Sequence, residues 1–430
     1  MISGPALSSN ANFVLSLLCI ALIPFVALGL ALINTGLGRS RSAAHTMLSS
    51  LCVLAVAAIA YMVFGFASQG TIGGAAHILV IHGNSWNWIA AQPLFLRGLT
   101  YGDGPSIVAC MQLLTVGLAA LIPLGSGSDR WRLGAICAST ALFAAITYPI
   151  FAHWAWGGGW LQQLVNFRMG FGFIDCAGSG TIHVAGGLTA LSIAWIIGPR
   201  RGKFSHDGMP AAIPGHNSVL VLVGCLLALV GWLALNCAGS MFFAGAPAFH
   251  LVLVIINTLL AAFSGLLGAL ITTRIRFGKP DTSLSANGWI AGLVAISASC
   301  SYVVPATAII IGAIAGILIP FAIDNFEFRM GIDDPGGSIS VHAVGGLWGL
   351  LAAGLFSRVT ASGQMLAQIV GIATLIGFVF PLTYGLNWAL DRVYPQRVSH
   401  DGERHGMDLH ELGADAYPEF AIHTDEFIPR

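Results

Sequence analysis

Of 430 residues, only 8% are charged and 56% are hydrophobic, and 18 basic side chains balance 18 acidic ones. Ordinary soluble proteins have roughly a quarter of their residues charged, so most of this chain's surface must face something other than water. Zero net charge argues against a nucleic-acid partner, and the eight cysteines lie in apolar segments without metal-ligand spacing and read as small core residues.

The first apolar segment, residues 13–36, is preceded by no Lys or Arg and is longer than the roughly 7 to 15 residues of a signal-peptide core, so it reads as a retained span. Residues 46–68, 218–248 and 365–388 are likewise almost free of charge and long enough to cross a bilayer core of roughly 30 Å as helices. Apolar runs between polar breaks predict about eleven spans, beginning near residues 13, 46, 105, 133, 172, 218, 249, 287, 305, 338 and 364. Residues 69–104 form a long polar and aromatic loop, and spans 8 and 9 are parted only by the short break at 301–305. The predicted architecture is an all-α polytopic membrane domain over 1–390, followed by a charged, solvated tail over 391–430. Many of the 54 glycines fall inside the apolar segments, where small residues let helix backbones approach closely.

Basic residues accumulate on the cytoplasmic side of membrane proteins. Arg39, Arg41, Arg130, Arg132, Arg200, Arg201, Lys203, Arg274, Arg276, Lys279 and Arg329 follow odd-numbered spans, whereas Arg97, Arg168 and Arg358 follow even-numbered ones. The expected orientation has the N-terminus outside and the tail in the cytoplasm of a cell with an inner or plasma membrane. Joining spans 8 and 9 would move the charges beyond Pro305 to the other side, so the asymmetry supports the split.

Spans 5 and 10 carry one pattern twice. Asp175 is followed eight residues later by His183, then Gly186, Gly187, Leu188 and Leu191; Asp334 is followed eight residues later by His342, then Gly345, Gly346, Leu347 and Leu350. A separation of five spans makes the copies antiparallel, which defines an inverted five-plus-five repeat with halves at about 13–198 and 218–358 and an extra span at about 364–390. In such architectures functional sites lie near the bilayer midplane at the repeat interface. Asp175 is expected toward the outer end of its span and Asp334 toward the inner end of its own, each histidine about two turns deeper. A single intramembrane histidine is usually a structural hydrogen-bonder, but ionisable groups in spans are costly and face a bundle interior or polar cavity. Two at symmetry-related positions point to a pore. Adjacent neutral imidazoles can share one hydrogen bond, leaving their outer nitrogens to line a path.

With these residues the chain resembles the ammonium transporter family (Amt, Mep and Rh proteins) over almost its whole length. The resemblance rests on His153-Trp154-Ala155-Trp156-Gly157-Gly158-Gly159-Trp160, on Asp175-Cys176-Ala177-Gly178 leading to His183, on Gly231-Trp232 followed by Asn236, on Asp333-Asp334-Pro335 leading to His342, and on Gly406-Met407-Asp408-Leu409. It implies an eleven-span protomer and a homotrimer with one pore per subunit; no cofactor is expected, and no enzyme, since no His, Asp or Ser forms a nucleophile-plus-base pair at a recognisable elbow. It also implies an essential acid at Asp175, a cation recruitment site at Trp156, and twin pore histidines at His183 and His342. A narrow apolar path favours neutral ammonia over the ammonium ion, because burying an unpaired charge costs many kcal/mol, and an aromatic face can hold the cation beforehand. The resemblance further implies a folded cytoplasmic tail that couples protomers, and a PII-type regulatory protein as a partner. Structural alternatives stand beside these roles: Asp175 as a helix cap, and Trp156 as an interfacial aromatic.

The chain departs from the family at the pore mouth. Where stacked phenylalanines are common, counting back from Thr115-Val116-Gly117 places Ile107 and Met111, and Leu235 follows Gly231-Trp232 where an aromatic is usual. One extra residue precedes Gly239-Ser240, which leaves open whether Ser240 accepts a hydrogen bond from the cation, and Arg168 puts a positive charge in the loop ahead of Asp175. The leading reading is ammonium transport; the altered gate motivates an ammonium receptor that conducts nothing, and a neutral-gas channel is the third reading.

Overall fold

A computed structural model describes residues 9–358 and 362–417. Among them, ten helices are long and apolar enough to cross a membrane: α1 (Asn12–Leu37), α2 (Ser40–Gln69), α3 (Gly104–Gly127), α4 (Leu133–Trp156), α5 (Ser179–Ile197), α6 (Ser218–Phe243), α7 (Ala248–Phe277), α9 (Pro305–Met330), α10 (Ile339–Phe356) and α11 (Gln364–Val393). A shorter apolar helix, α8 (Thr282–Ile296), completes the set of eleven. The break that separates α8 from α9 ends at Pro305, whose fixed φ and missing N–H suit the first turn of a helix.

The boundaries differ from the sequence expectation in two places that matter. Helix α5 begins at Ser179, not near 172, so Asp175 stands ahead of its helix instead of inside the outer end of a span. Residues 69–104 are more than a loop: β1 (Ala76–Ile81) and β2 (Asn84–Ala90) form an antiparallel hairpin. His82 and Gly83 turn it with φ of 50° and 77°, the positive pair that a two-residue hairpin turn demands. The hairpin sits over the end of α4: the His153 ring lies 2.6 Å from Gln69 O and 3.0 Å from Asn87 Oδ1, and Trp154 Nε1 donates to Trp88 O at 2.7 Å.

The inverted repeat is visible in reciprocal contacts. A Cβ on Gly187 of α5 would meet Ala343 of α10, while one on Gly346 of α10 would meet Val184 of α5. Since 184 corresponds to 343 and 187 to 346, the crossing is related to itself by a pseudo-two-fold rotation, as an isologous contact is. The same holds where α1 crosses α6. A Cβ on Gly29 would meet Gly224 O at 2.5 Å, and one on Gly224 would meet Gly29 O at 2.7 Å. Glycine at each crossing removes the side chain that would hold the backbones apart.

At the end of the bundle remote from Asp175, buried ions tie the helix ends together. Arg200 donates to both carboxylate oxygens of Asp333 (2.9 and 3.0 Å) and to Asp129 Oδ2 (3.1 Å), and the fully buried Arg130 donates to the carbonyls of Gly198, Ser128 and Asp333. Burial alone would push Asp333 up, but Arg130 and Arg200 beside it hold it at about 2. The tail folds against this end and carries a short helix, α12 (His400–His405). Asp408 accepts from Ala44 N and His45 N at the start of α2, and Glu411 accepts from Leu133 N at the start of α4 while lying 2.9 Å from His45 Nε2. Both carboxylates thus sit at helix N-termini, where unpaired N–H groups and the helix dipole favour an anion.

Candidate functional site

Each histidine lies in a wide, π-helical turn, Ser179–Val184 in α5 and Ile339–Val344 in α10. Five further turns of this kind occur among the described residues; what sets these two apart is that each carries an imidazole that meets the other between the halves. His183 Nδ1 and His342 Nδ1 are 3.2 Å apart, with ring centroids 5.2 Å apart and planes inclined by 26°. Both side chains are buried. One Nδ1 donates and the other accepts, so one ring carries its proton at Nδ1 and the other at Nε2. His183 Nε2 is buried and has no partner among the described residues.

Trp232 fixes one side of the pair. Its indole stacks on His183 at 4.8 Å with planes 15° apart, and its Nε1 donates to Ser297 Oγ at 2.9 Å. Ser297 Oγ is 3.0 Å from Asn236 Oδ1, and Asn236 Nδ2 donates to Thr258 Oγ1 at 2.9 Å. This polar chain holds Trp232, which holds His183; Gly231, next to it, faces Val26 of α1 closely enough that a Cβ would meet Val26 N at 2.4 Å.

Asp175 works as a cap. Its carboxylate accepts from Thr181 N and Thr181 Oγ1, both at 2.7 Å, and from Gly180 N at 3.1 Å. Gly178, at φ 97°, supplies the left-handed turn that lets the chain double back onto the carboxylate. Asp334 repeats the arrangement in the other half, accepting from Ser126 Oγ (2.6 Å), Ser338 N (3.0 Å) and Ile339 N (2.7 Å). Its carboxyl is pushed up to about 6 by burial, against the pull of those donors.

Trp156 Nε1 donates to the Asp175 carbonyl at 2.7 Å, which joins the end of α4 to the segment ahead of α5. A recess of about 100 Å³ opens here, lined among others by Trp156, Asp175, Cys176, Phe243 and Tyr302. The Trp156 face is not bare: Phe243, at the end of α6, stacks on it at 4.3 Å with planes 1° apart.

The remaining expected site residues scatter. Ser240 is buried one turn before Phe243, its Oγ 3.2 Å from Cys176 Sγ. Met111 and Leu235 are wholly buried in the core. Ile107 lines a different recess, with Asn12, Phe13, Met241 and Phe242. Arg168 is exposed. The residues that sequence reasoning missed are Phe243 and Tyr302 in the wall of the recess, Cys300 behind it, and Ser126 on Asp334. The one available signal for Phe243 was its place a helical turn beyond Ser240.

A helical membrane protein with an inverted repeat and a buried histidine pair at the repeat interface is a transport-type architecture. The model of the Ammonium Transporter Family matches residues 14–417. The chain is 34% identical to ammonium transporter Amt2 of Archaeoglobus fulgidus, over 97% of this chain and 90% of that protein. It is 29% identical to an ammonium transporter of Bacillus subtilis, over 93% and 97%. Among solved structures, a protein titled sensor Amt protein superposes with a TM-score of 0.85 at 28% identity, covering 94% of this chain and 98% of that one. Candida albicans Mep2 shares the fold with a TM-score of 0.80 at 23% identity, covering 96% and 91%. The chain belongs to the Ammonium Transporter Family.

Proposed function

We propose that the protein carries ammonium across the cell membrane: it holds the ion at the Trp156 recess on the outer face, removes a proton there, and passes ammonia between His183 and His342. The observation that carries this reading is the histidine pair, two buried imidazoles 3.2 Å apart at the interface of the inverted halves. A core histidine needs a partner for each ring nitrogen, and His183 Nε2 has none among the described residues. An unpaired polar atom in a buried site costs about 1–3 kcal/mol, and a passing ammonia can offset that cost by donating to or accepting from it. Neutral ammonia suits a path this apolar, whereas the ion does not.

The N-terminus is assigned outside and the tail to the cytoplasm. The tail's docking on α2 and α4 fits a lever that a PII-type protein or a neighbouring protomer in a homotrimer moves. A receptor is the second reading, favoured by one observation: Phe243 covers the Trp156 face on which the cation would rest. Proteoliposomes that take up methylammonium with the native chain, and lose uptake with His183→Ala, establish the transport reading. Saturable methylammonium binding with no uptake by the native chain overturns it in favour of the receptor.

A further inference from the structure

Behind the recess lie two thiols that the conduction path above does not use. Cys176 Sγ and Cys300 Sγ are 3.6 Å apart, and Ser240 Oγ is 3.2 Å from the first and 3.5 Å from the second. They come from three parts of the chain: the segment ahead of α5, the break between α8 and α9, and α6. Backbone bonds set their spacing, since Cys176 N donates to Ala298 O at 3.1 Å and Ala177 N donates to Ser297 O at 2.8 Å. Glycine at 239 lets α6 close on the same strip, where a Cβ would meet Cys176 O at 2.5 Å. Both cysteines are free thiols, and Cys176 is among the residues that line the recess.

This donor set is selective. No three His, Cys, Asp or Glu converge on a metal among the described residues, which removes the closed four-ligand site that structural zinc requires. The carboxylate next to Cys176 in sequence, Asp175, is committed to N–H and O–H donors at the start of α5. Thiolates favour Cu(I), zinc and iron–sulfur clusters; structural zinc and the clusters need four protein ligands, so two sulfurs and one hydroxyl suit Cu(I), a soft cation of low coordination number. Two metal–sulfur bonds of about 2.3 Å each, opened to a trigonal angle, place the sulfurs about 4.0 Å apart. The observed 3.6 Å is slightly shorter, a gap that small rotations of two side chains close, with Ser240 Oγ left as the third donor.

We infer that Cys176, Cys300 and Ser240 form a binding site for one soft monovalent cation, Cu(I) or its analogue Ag(I), directly behind the recess. Each thiol gives its proton to water as its metal–sulfur bond forms, the metal stays in the +1 state, and the bis-thiolate complex carries one negative charge. The site lies beside the Trp156–Phe243 stack and shares the recess with it.

The test reads metal, not flux, so it stands apart from the transport reading. The full chain in detergent, kept reduced, competes for Cu(I) against a coloured chelator. One tightly held copper is expected in the native chain. It is lost in Cys176→Ser and in Cys300→Ser and kept in Cys137→Ser, which removes a thiol that neighbours Cys52 and belongs to neither part of the site. X-ray absorption at the copper edge of the Cys137→Ser protein, which needs neither site variant to fold, should show two sulfur scatterers. Loss of the copper in Cys137→Ser, its retention in both site variants, or a copper shell of fewer than two sulfurs overturns the inference.

Discussion

Replacing Asp175 separates the two roles open to it. In Asp175→Ala the N–H groups of Gly180 and Thr181 lose their acceptor in a buried site, while the Thr181 hydroxyl can rotate toward another. Orphaned buried donors cost about 1–3 kcal/mol each, so two of them put the loss at about 2–6 kcal/mol, concentrated in the first turn of α5. Asp175→Asn keeps one carbonyl oxygen for Thr181 N but presents an amide N–H₂ to a donor, so about half of that loss is expected. A capping role predicts graded behaviour: Asn falls between native and Ala in thermal stability in detergent, and its methylammonium flux in proteoliposomes follows the same order. A charge that acts on the ion itself predicts that Asn and Ala lose flux equally while differing in stability. Equal stability of all three proteins would refute the hydrogen-bond reasoning from which the magnitude is built.

Removing the Phe243 ring should bare the Trp156 face: a cation–π contact of about 0.5–1 kcal/mol corresponds to a methylammonium KM about 2–5-fold lower in Phe243→Ala, and Trp156→Leu should raise it; an unchanged KM in both places the cation elsewhere. Asp408→Ala removes the acceptor shared by Ala44 N and His45 N, and at about 0.5–2 kcal/mol for a lost cap it should speed limited proteolysis of the tail while leaving the membrane helices intact. The folded-state pKa of Asp334 is raised to about 6, so its contribution is fully present below the ordinary aspartate range and is lost as pH rises through about 6. By linkage that difference approaches roughly 3 kcal/mol. The native chain should therefore gain thermal stability from pH 7 to pH 5 by more than Asp334→Asn does, whereas Asp333, held at about 2, should contribute no pH dependence in that range.

The histidine pair was legible because it rests on a duplicated spacing, and spacing survives in sequence. The eight-residue step from aspartate to histidine fixed which turns meet, and the paired glycines one turn beyond the histidines marked the crossing that brings them together. What was not legible depended on local backbone choices. Residues 76–81 read as neither strand nor helix, because a short apolar run lacks the alternation that distinguishes a strand, and the His82–Gly83 turn is not the usual asparagine–glycine signal. The start of α5 was placed too early because residues 171–174 are as apolar as a helix, while the positive φ of Gly178 ends that option. At the pore mouth, counting from a motif put Ile107 and Met111 at the gate positions; Ile107 lines a separate hollow, and Phe243, which no motif marks, covers Trp156 from another helix. Contacts between helices are set by packing, which a single sequence records only where a repeat writes it twice.

The wide turns at the two histidines fix the length of the chain there more strictly than any contact does. Each holds an additional residue per turn relative to a regular helix, and deleting one residue would let the helix relax into ordinary geometry with all its backbone bonds made. The relaxed helix would be locally more regular. Side chains beyond the turn would keep their phase, because the bulge takes up the missing residue, but those within it, the imidazole included, would swing away from the interface. Single-residue deletions at 179–184 or 339–344 are therefore the changes that natural variation should avoid most in α5 and α10, even where it freely exchanges one apolar side chain for another.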